Sequence, residues 1–136
     1  MNTKNSDSDF NFLQDHSNEY LEMAFRTDHI ERLENPDGYG KRKGDCGDTI
    51  EMFVSIDGNE RIESVSFMVD GCINTRACAN TVAQLAEGKS IEEAWEILPE
   101  TIIGYLGTLP SHENHCAELA VGAFYRALSN YQDKKK

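Results

Sequence analysis

Between residues 49 and 69 apolar and polar positions alternate. Ile50, Met52, Val54 and Ile56 are interleaved with Thr49, Glu51, Phe53 and Ser55, which predicts a strand with one buried face. Asp57-Gly58-Asn59 supplies a turn, and Val65, Phe67 and Val69 alternate with Ser64 and Ser66 as a return strand, so the two are expected to pair as an antiparallel hairpin. Residues that pair across a hairpin are numbered symmetrically about its turn. The midpoint of 46 and 72 is 59, so Cys46 and Cys72 are expected to meet at the open end. A slip of one residue would change their facing but not their proximity.

Outside the hairpin the period is helical. Tyr20, Met23 and Ala24 predict an amphipathic helix over residues 17–26, and Asn35-Pro36-Asp37-Gly38 is a dense turn signal after it. Beyond Cys72, Ala77, Ala79, Val82, Ala83, Leu85 and Ala86 form an apolar stripe stopped at Gly88. Ser90-Ile91-Glu92-Glu93 has the form of a capping box and opens a short helix that ends at Pro99. A further helix is expected over residues 101–106, then a polar loop, then a last helix over 116–131 carrying Leu119, Ala120, Ala123, Ala127 and Leu128 on one side. Residues 1–16 have little to bury and are expected to be a flexible tail.

Composition narrows the classes of function. A length of 136 residues suits one domain with its own core. Thirteen basic against 24 acidic residues give a formal net charge of −11, which disfavours nucleic acid and anionic membrane surfaces as partners. No apolar run approaches the roughly 20 residues that span a bilayer, and the polar N-terminus does not resemble a targeting signal, so a cytoplasmic setting is expected. Lys41-Arg42-Lys43 and Lys134-Lys135-Lys136 read as a solvated loop and a basic terminus, although the first would favour an ionised thiol at Cys46.

In such a compartment the four cysteines, Cys46, Cys72, Cys78 and Cys116, point to metal or redox chemistry rather than disulfides. In Asp45-Cys46-Gly47-Asp48 a thiol and a carboxylate two residues apart would face one side of an extended segment. Cys72 and Cys116 each stand at the start of a predicted helix, where the dipole lowers a thiol pKa. Asp48 and His115 lie beside two of these cysteines. Three thiolates with one weaker oxygen or nitrogen ligand suit a tetrahedral zinc or a small iron-sulfur cluster. The competing readings are small buried hydrophobes, a structural zinc domain, and a Cys116–His115 nucleophile and base; the last leaves Cys46 and Cys72 unexplained. Cys78 reads as a buried spectator, and His112, His16 and His29 as solvated.

Asn35-Pro36, Cys46-Gly47-Asp48, Gly71-Cys72, Gly88-Lys89-Ser90 and His115-Cys116, in this order and spacing, resemble the iron-sulfur cluster assembly scaffold family, IscU-like or NifU N-terminal domains. The resemblance implies an α+β fold, a small hairpin-based antiparallel sheet packed against four to five helices, with the site at one end. It implies a domain over residues 17–132 followed by a basic tail at 133–136. It implies a transient [2Fe-2S] cluster built on Cys46, Asp48, Cys72, His115 and Cys116, with Asp48 and His115 both open as the fourth ligand. Cys46, Cys72 and Cys116 would accept sulfur from a cysteine desulfurase, and the cluster would pass to apo iron-sulfur proteins. Zinc at the same place would be compatible. This would be a binding and transfer protein rather than a turnover enzyme; the alternative is a zinc-containing, persulfide-accepting sulfurtransferase that stimulates the desulfurase. The chain departs from the family in Ile73-Asn74-Thr75-Arg76 after the second cysteine, where the family is glycine-rich. It departs again in Leu109-Pro110-Ser111-His112-Glu113, where the family has Leu-Pro-Pro-Val-Lys, which leaves an Hsp70-type chaperone open as a partner.

Overall fold

The predicted hairpin is present in a computed structural model, which describes residues 11–136. Strand β2 (Thr49–Ile56) pairs antiparallel with β3 (Ile62–Asp70). Ile50 opposite Val69, Met52 opposite Phe67 and Val54 opposite Val65 set the core face, as the alternation requires. Phe53, on the other face, is also only 2% exposed. It is covered by the Tyr39 ring, 5.4 Å between centroids, and by the Arg32 guanidinium, which in turn holds Glu51 at 2.7 Å.

A third strand joins the hairpin in the order β1-β2-β3. Strand β1 (Gly38–Lys43) occupies residues expected to be a turn and a solvated basic loop. Its pattern is legible only in three dimensions, because the buried positions are glycines. A Cβ at Gly38 would be driven into the Ala127 carbonyl, and one at Gly40 into that of Ala123, so the absence of side chains lets the last helix lie directly on the strand.

The helices are α1 (Phe12–Asp15), α2 (Asn18–Phe25), α3 (Ile73–Ala86), α4 (Ile91–Ala94), α5 (Pro99–Leu106) and α6 (Asn114–Lys134), with a 3₁₀ turn at Ser111–Glu113. The α+β architecture therefore matches expectation, with six helices among the described residues where four to five are expected. Ser90 and Glu93 form the capping box that starts α4, and Pro99 opens α5. Helices α3 and α6 pack on the sheet and α2 and α5 pack on those helices, together burying Tyr20, Met23, Ala79, Val82, Ile102, Leu106, Phe124 and Leu128.

The tail assigned to residues 1–16 lies partly outside the described residues, and its described part is folded. Asn11 caps α1 by accepting from the Leu13 and Gln14 amides, and Phe12 packs edge-on against His16 and Tyr20. His16 stacks on Tyr20 at 3.8 Å, and its Nδ1 lies 2.7 Å from Thr108 Oγ1. Aromatic contacts thus extend the packed body before residue 17. His29 is likewise buried, donating from Nδ1 to the Val65 carbonyl at 2.9 Å. Both histidines correct the expectation of solvated side chains. At the other end α6 continues through Lys134, and Lys135 pairs with Glu60 at 2.7 Å, so the basic tail is partly helical and anchored. Among the described residues no helix is long and apolar enough to cross a membrane.

Candidate metal centre

One end of the sheet is closed by the loop of residues 44–48 between β1 and β2. The Gly44 amide donates to the Asp48 carbonyl at 2.8 Å and the Gly47 amide to the Gly44 carbonyl at 3.0 Å, while Gly47 takes a φ of 96°. Cys46 and Asp48 therefore belong to a turn, not to an extended segment. The missed strand β1 is the cause: the chain must reverse at this point to enter it. The ladder with β3 ends at Thr49 opposite Asp70, so the residue brought to Cys72 is Asp48 rather than Cys46.

The carboxylate of Asp48 lies over Gly71. A Cβ there would sit 2.6 Å from Oδ2, so the close approach depends on glycine. Oδ2 accepts from the Thr75 hydroxyl at 2.5 Å and lies 3.5 Å from the Cys72 amide nitrogen. Cys72 is the N-cap of α3, as expected, and its side chain is exposed. Cys116 lies in the first turn of α6 and is fully buried. Thr75, one helical turn after Cys72, puts a single hydroxyl 3.5 Å from the Cys72 sulfur and 3.4 Å from that of Cys116. The donor atoms of Asp48, Cys72 and Cys116 all lie within 4.8 Å of one another. Two helix N-termini, those of α3 and α6, supply two of these three donors.

A second group forms beside the first. Glu113, His115 and Cys116 also lie within 4.8 Å of one another. Glu113 Oε1 is 3.5 Å from the Cys116 sulfur and 3.6 Å from His115 Nε2. Glu113 and Thr75 were not among the residues singled out in the sequence, although each stands three positions from a cysteine, the spacing of one helical turn. His112 is exposed, as expected, and faces Glu113 Oε2 at 3.5 Å. Cys46 falls in neither group. It is exposed on the loop and, with His115, Arg42, Lys43, Asp45 and Glu118, lines a cavity of about 320 Å³.

The electrostatics of Cys116 reverse the expectation from helix position. Burial pushes its thiol up to about 12, against the opposing influence of the Thr75 hydroxyl beside it and with the help of Cys72 and Glu113. Desolvation outweighs the dipole here, so this sulfur holds its proton until something displaces it. Cys78 is buried in the core, and burial drives its thiol well above the ordinary range, consistent with a spectator. Soft sulfur, a hard carboxylate and an imidazole within this radius suit zinc or iron, and metal binding would displace the Cys116 proton.

Residues 29–136 match the model of the NifU-like N-terminal domain. The iron-sulfur cluster assembly scaffold protein IscU 1 of Archaeoglobus fulgidus is 34% identical over 104 residues, covering 76% of this chain and 67% of the relative. The scaffold protein IscU of Haemophilus influenzae is 30% identical over 126 residues, covering 83% and 99%. Among solved structures, the N-terminal NifU-like protein of Brucella abortus superposes with a TM-score of 0.71 at 14% identity, over 87% of this chain and 94% of that one. A scaffold protein of Fervidobacterium islandicum superposes with a TM-score of 0.68 at 21% identity, over 82% and 95%. At these identities the two structures speak for the fold alone.

Proposed function

The chain belongs to the NifU-like N-terminal domain family, and on that premise we propose that it is a cytoplasmic scaffold on which iron and sulfur are assembled into a transient [2Fe-2S] cluster for delivery to apo-proteins. The observation that carries this reading is the convergence of Asp48, Cys72 and Cys116 within 4.8 Å at the open end of the hairpin. Iron and the cluster are cargo, held by these residues together with Cys46 and His115.

The chain's own residues divide the work. Cys46 and Cys72 are exposed and can meet the persulfide of a cysteine desulfurase. A thiolate attacks the outer sulfur, the desulfurase S–S bond breaks, and the desulfurase leaves as a thiolate while a persulfide forms on the scaffold. Reduction of that sulfur to sulfide takes two electrons from an external thiol or ferredoxin-type reductant. Cys116 becomes available as its proton is displaced by the metal. Asp48, the hard donor among soft ones, is the ligand that exchanges during release. No step requires turnover of an organic substrate, in keeping with a binding and transfer protein.

Anaerobic reconstitution with iron, cysteine, a reductant and a desulfurase tests the proposal. The expected product is a sulfide-bridged iron chromophore that is lost or diminished in Cys46→Ser, Cys72→Ser and Cys116→Ser. Absence of the chromophore, or normal formation in all three variants, would refute it. One observation favours a second reading, a zinc-containing protein that accepts persulfide and stimulates the desulfurase: Cys46 stands outside both donor groups and is free to take sulfur while a metal remains bound. That reading predicts zinc in the anaerobically purified protein and faster desulfurase turnover in its presence without iron.

A further inference from the structure

Residues 29–31 run along the edge of β3 that faces away from β2. The Phe67 amide donates to the His29 carbonyl at 2.9 Å, and the Glu31 amide donates to the Phe67 carbonyl at 3.1 Å. Ile30 packs on the core, so His29 and Glu31, on either side of it in an extended segment, share the opposite face. This edge is remote from the cysteines. Val65, whose carbonyl His29 holds, lies five positions before the end pair Thr49–Asp70, about 17 Å at the rise of a strand.

The His29 ring is fixed in one tautomer. Its Nδ1 faces two acceptors, the Val65 carbonyl at 2.9 Å and Glu87 Oε2 at 3.5 Å, so Nδ1 carries the proton and the neutral ring keeps a lone pair on Nε2. That lone pair has no hydrogen-bond partner among the described residues, although the side chain is only 7% exposed. A buried acceptor left unmatched costs free energy that a bound cation would recover. The charge nearest to it is Asp28 Oδ2, at 4.0 Å. One ion that binds nitrogen at roughly 2.0–2.1 Å and oxygen at roughly 2.0–2.2 Å reaches both. The Ser66 hydroxyl is likewise buried without a partner, and it lines with Asp28, His29 and Glu31 a cavity of about 290 Å³.

Both donors already have the outer partners that orient metal ligands. Nδ1 of His29 is tied to a backbone carbonyl, the usual anchor of a ligating imidazole. Asp28 Oδ1 accepts from Arg26 Nε at 2.5 Å, and Arg26 in turn donates to Gln84 of α3 at 2.6 Å. Asp28 itself is 60% exposed, so its carboxylate can swing to admit an ion.

We propose that this edge is a second metal site, separate from the cysteines, which takes one zinc ion on His29 Nε2, Asp28 Oδ2 and the Glu31 carboxylate. Imidazole with carboxylates is a donor set that suits zinc, and two carboxylates balance its charge. The inference does not rest on the scaffold reading.

The test titrates zinc chloride anaerobically into the full chain, labelled with nitrogen-15, and follows each histidine ring by two-bond proton–nitrogen correlation spectra. Without zinc, His29 should show its proton on Nδ1. With zinc, the His29 Nε2 resonance should move away from its lone-pair position while Nδ1 keeps its proton. The readout belongs to one atom, so zinc held by the cysteines does not enter it, and failed cluster reconstitution would leave it standing. Asp28→Asn and Glu31→Gln should each weaken zinc at His29 by about 10-fold or more, with unchanged far-ultraviolet circular dichroism. A proton on Nε2 in the zinc-free protein, an Nε2 resonance that zinc does not move, or an undiminished zinc response in both variants would each overturn the proposal.

Discussion

Gly71→Ala gives the sharpest test of how the centre is built. The added Cβ would lie 2.6 Å from Asp48 Oδ2 and 2.7 Å from Cγ, and the carboxylate must retreat by about 0.8–1.4 Å to reach ordinary contact. It stands at the end of a side chain near solvent, so it swings away rather than straining the sheet. The retreat breaks the 2.5 Å bond from Thr75 and takes Asp48 out of reach of the Cys72 and Cys116 sulfurs. Folding should change little: a bond to a charged group is lost, about 1 kcal/mol at this partly exposed position, and alanine in place of glycine offsets roughly 0.4–1 kcal/mol through the unfolded chain. Metal affinity should fall by about 10–100-fold, the scale on which displaced metal-site partners act. The assay is competition for zinc with a chromophoric chelator, run on the wild type, Gly71→Ala, Asp48→Ala and the double variant. In the Asp48→Ala background the Cβ meets no carboxylate, so its effect should vanish and the coupling energy should equal the whole single-variant loss, about 1.4–2.7 kcal/mol. An equal loss from Gly71→Ala in both backgrounds would refute the reasoning.

Asp48→Ala should hold a reconstituted cluster longer than the wild type, read as slower transfer to an apo-ferredoxin; faster loss would contradict its proposed role as the exchanging ligand. Gly40→Ala should destabilise the fold by about 1–3 kcal/mol, because its Cβ runs into the Ala123 carbonyl and must push α6 off β1; an unchanged urea midpoint would show that the helix does not rest on the strand. Alkaline pH should destabilise the metal-free protein. Burial raises the Cys116 thiol from 9.0 to about 12, the Cys78 thiol well above 9.0, and the Tyr20 hydroxyl from 10.0 to about 12. The folded state thus keeps protons that the unfolded state releases. Stability is level below pH 9 in respect of the thiols and falls above it by about 1.4 kcal/mol per pH unit for each such group until the folded pKa is passed. Urea midpoints at pH 8 and pH 10.5 check this, and an equal or higher midpoint at pH 10.5 would contradict it.

What the residues alone revealed follows from how local each signal is. Alternation over 50–56 and 65–69 and the capping box at Ser90 are local, and the structure has them where they were read. Strand β1 was hidden because its buried positions are Gly38 and Gly40, whose meaning is the helix they admit, and its outer positions are lysines and arginine. The same strand governs the site. Hairpin symmetry brought the right segments together, but without β1 the turn at residues 44–48 could not be foreseen, and Asp48 instead of Cys46 came to face Cys72. The Cys116 thiol departs from the helix-dipole expectation for a similar reason, since burial is a property of the packed core. Thr75 and Glu113 stand one helical turn from Cys72 and Cys116, so helical spacing pointed to them, yet nothing local shows that both side chains turn inward.

The proposed scaffold builds a cluster in order to give it away. The most direct measurement loads the anaerobic protein with a cluster, adds an apo-ferredoxin and an excess of a strong iron chelator, and follows the ferredoxin chromophore by circular dichroism. A scaffold transfers its cluster intact, so the ferredoxin signal should rise at nearly the same rate and to nearly the same extent with and without the chelator. A signal that disappears when the chelator is present would mean that only free iron and sulfide had moved, and would contradict the account.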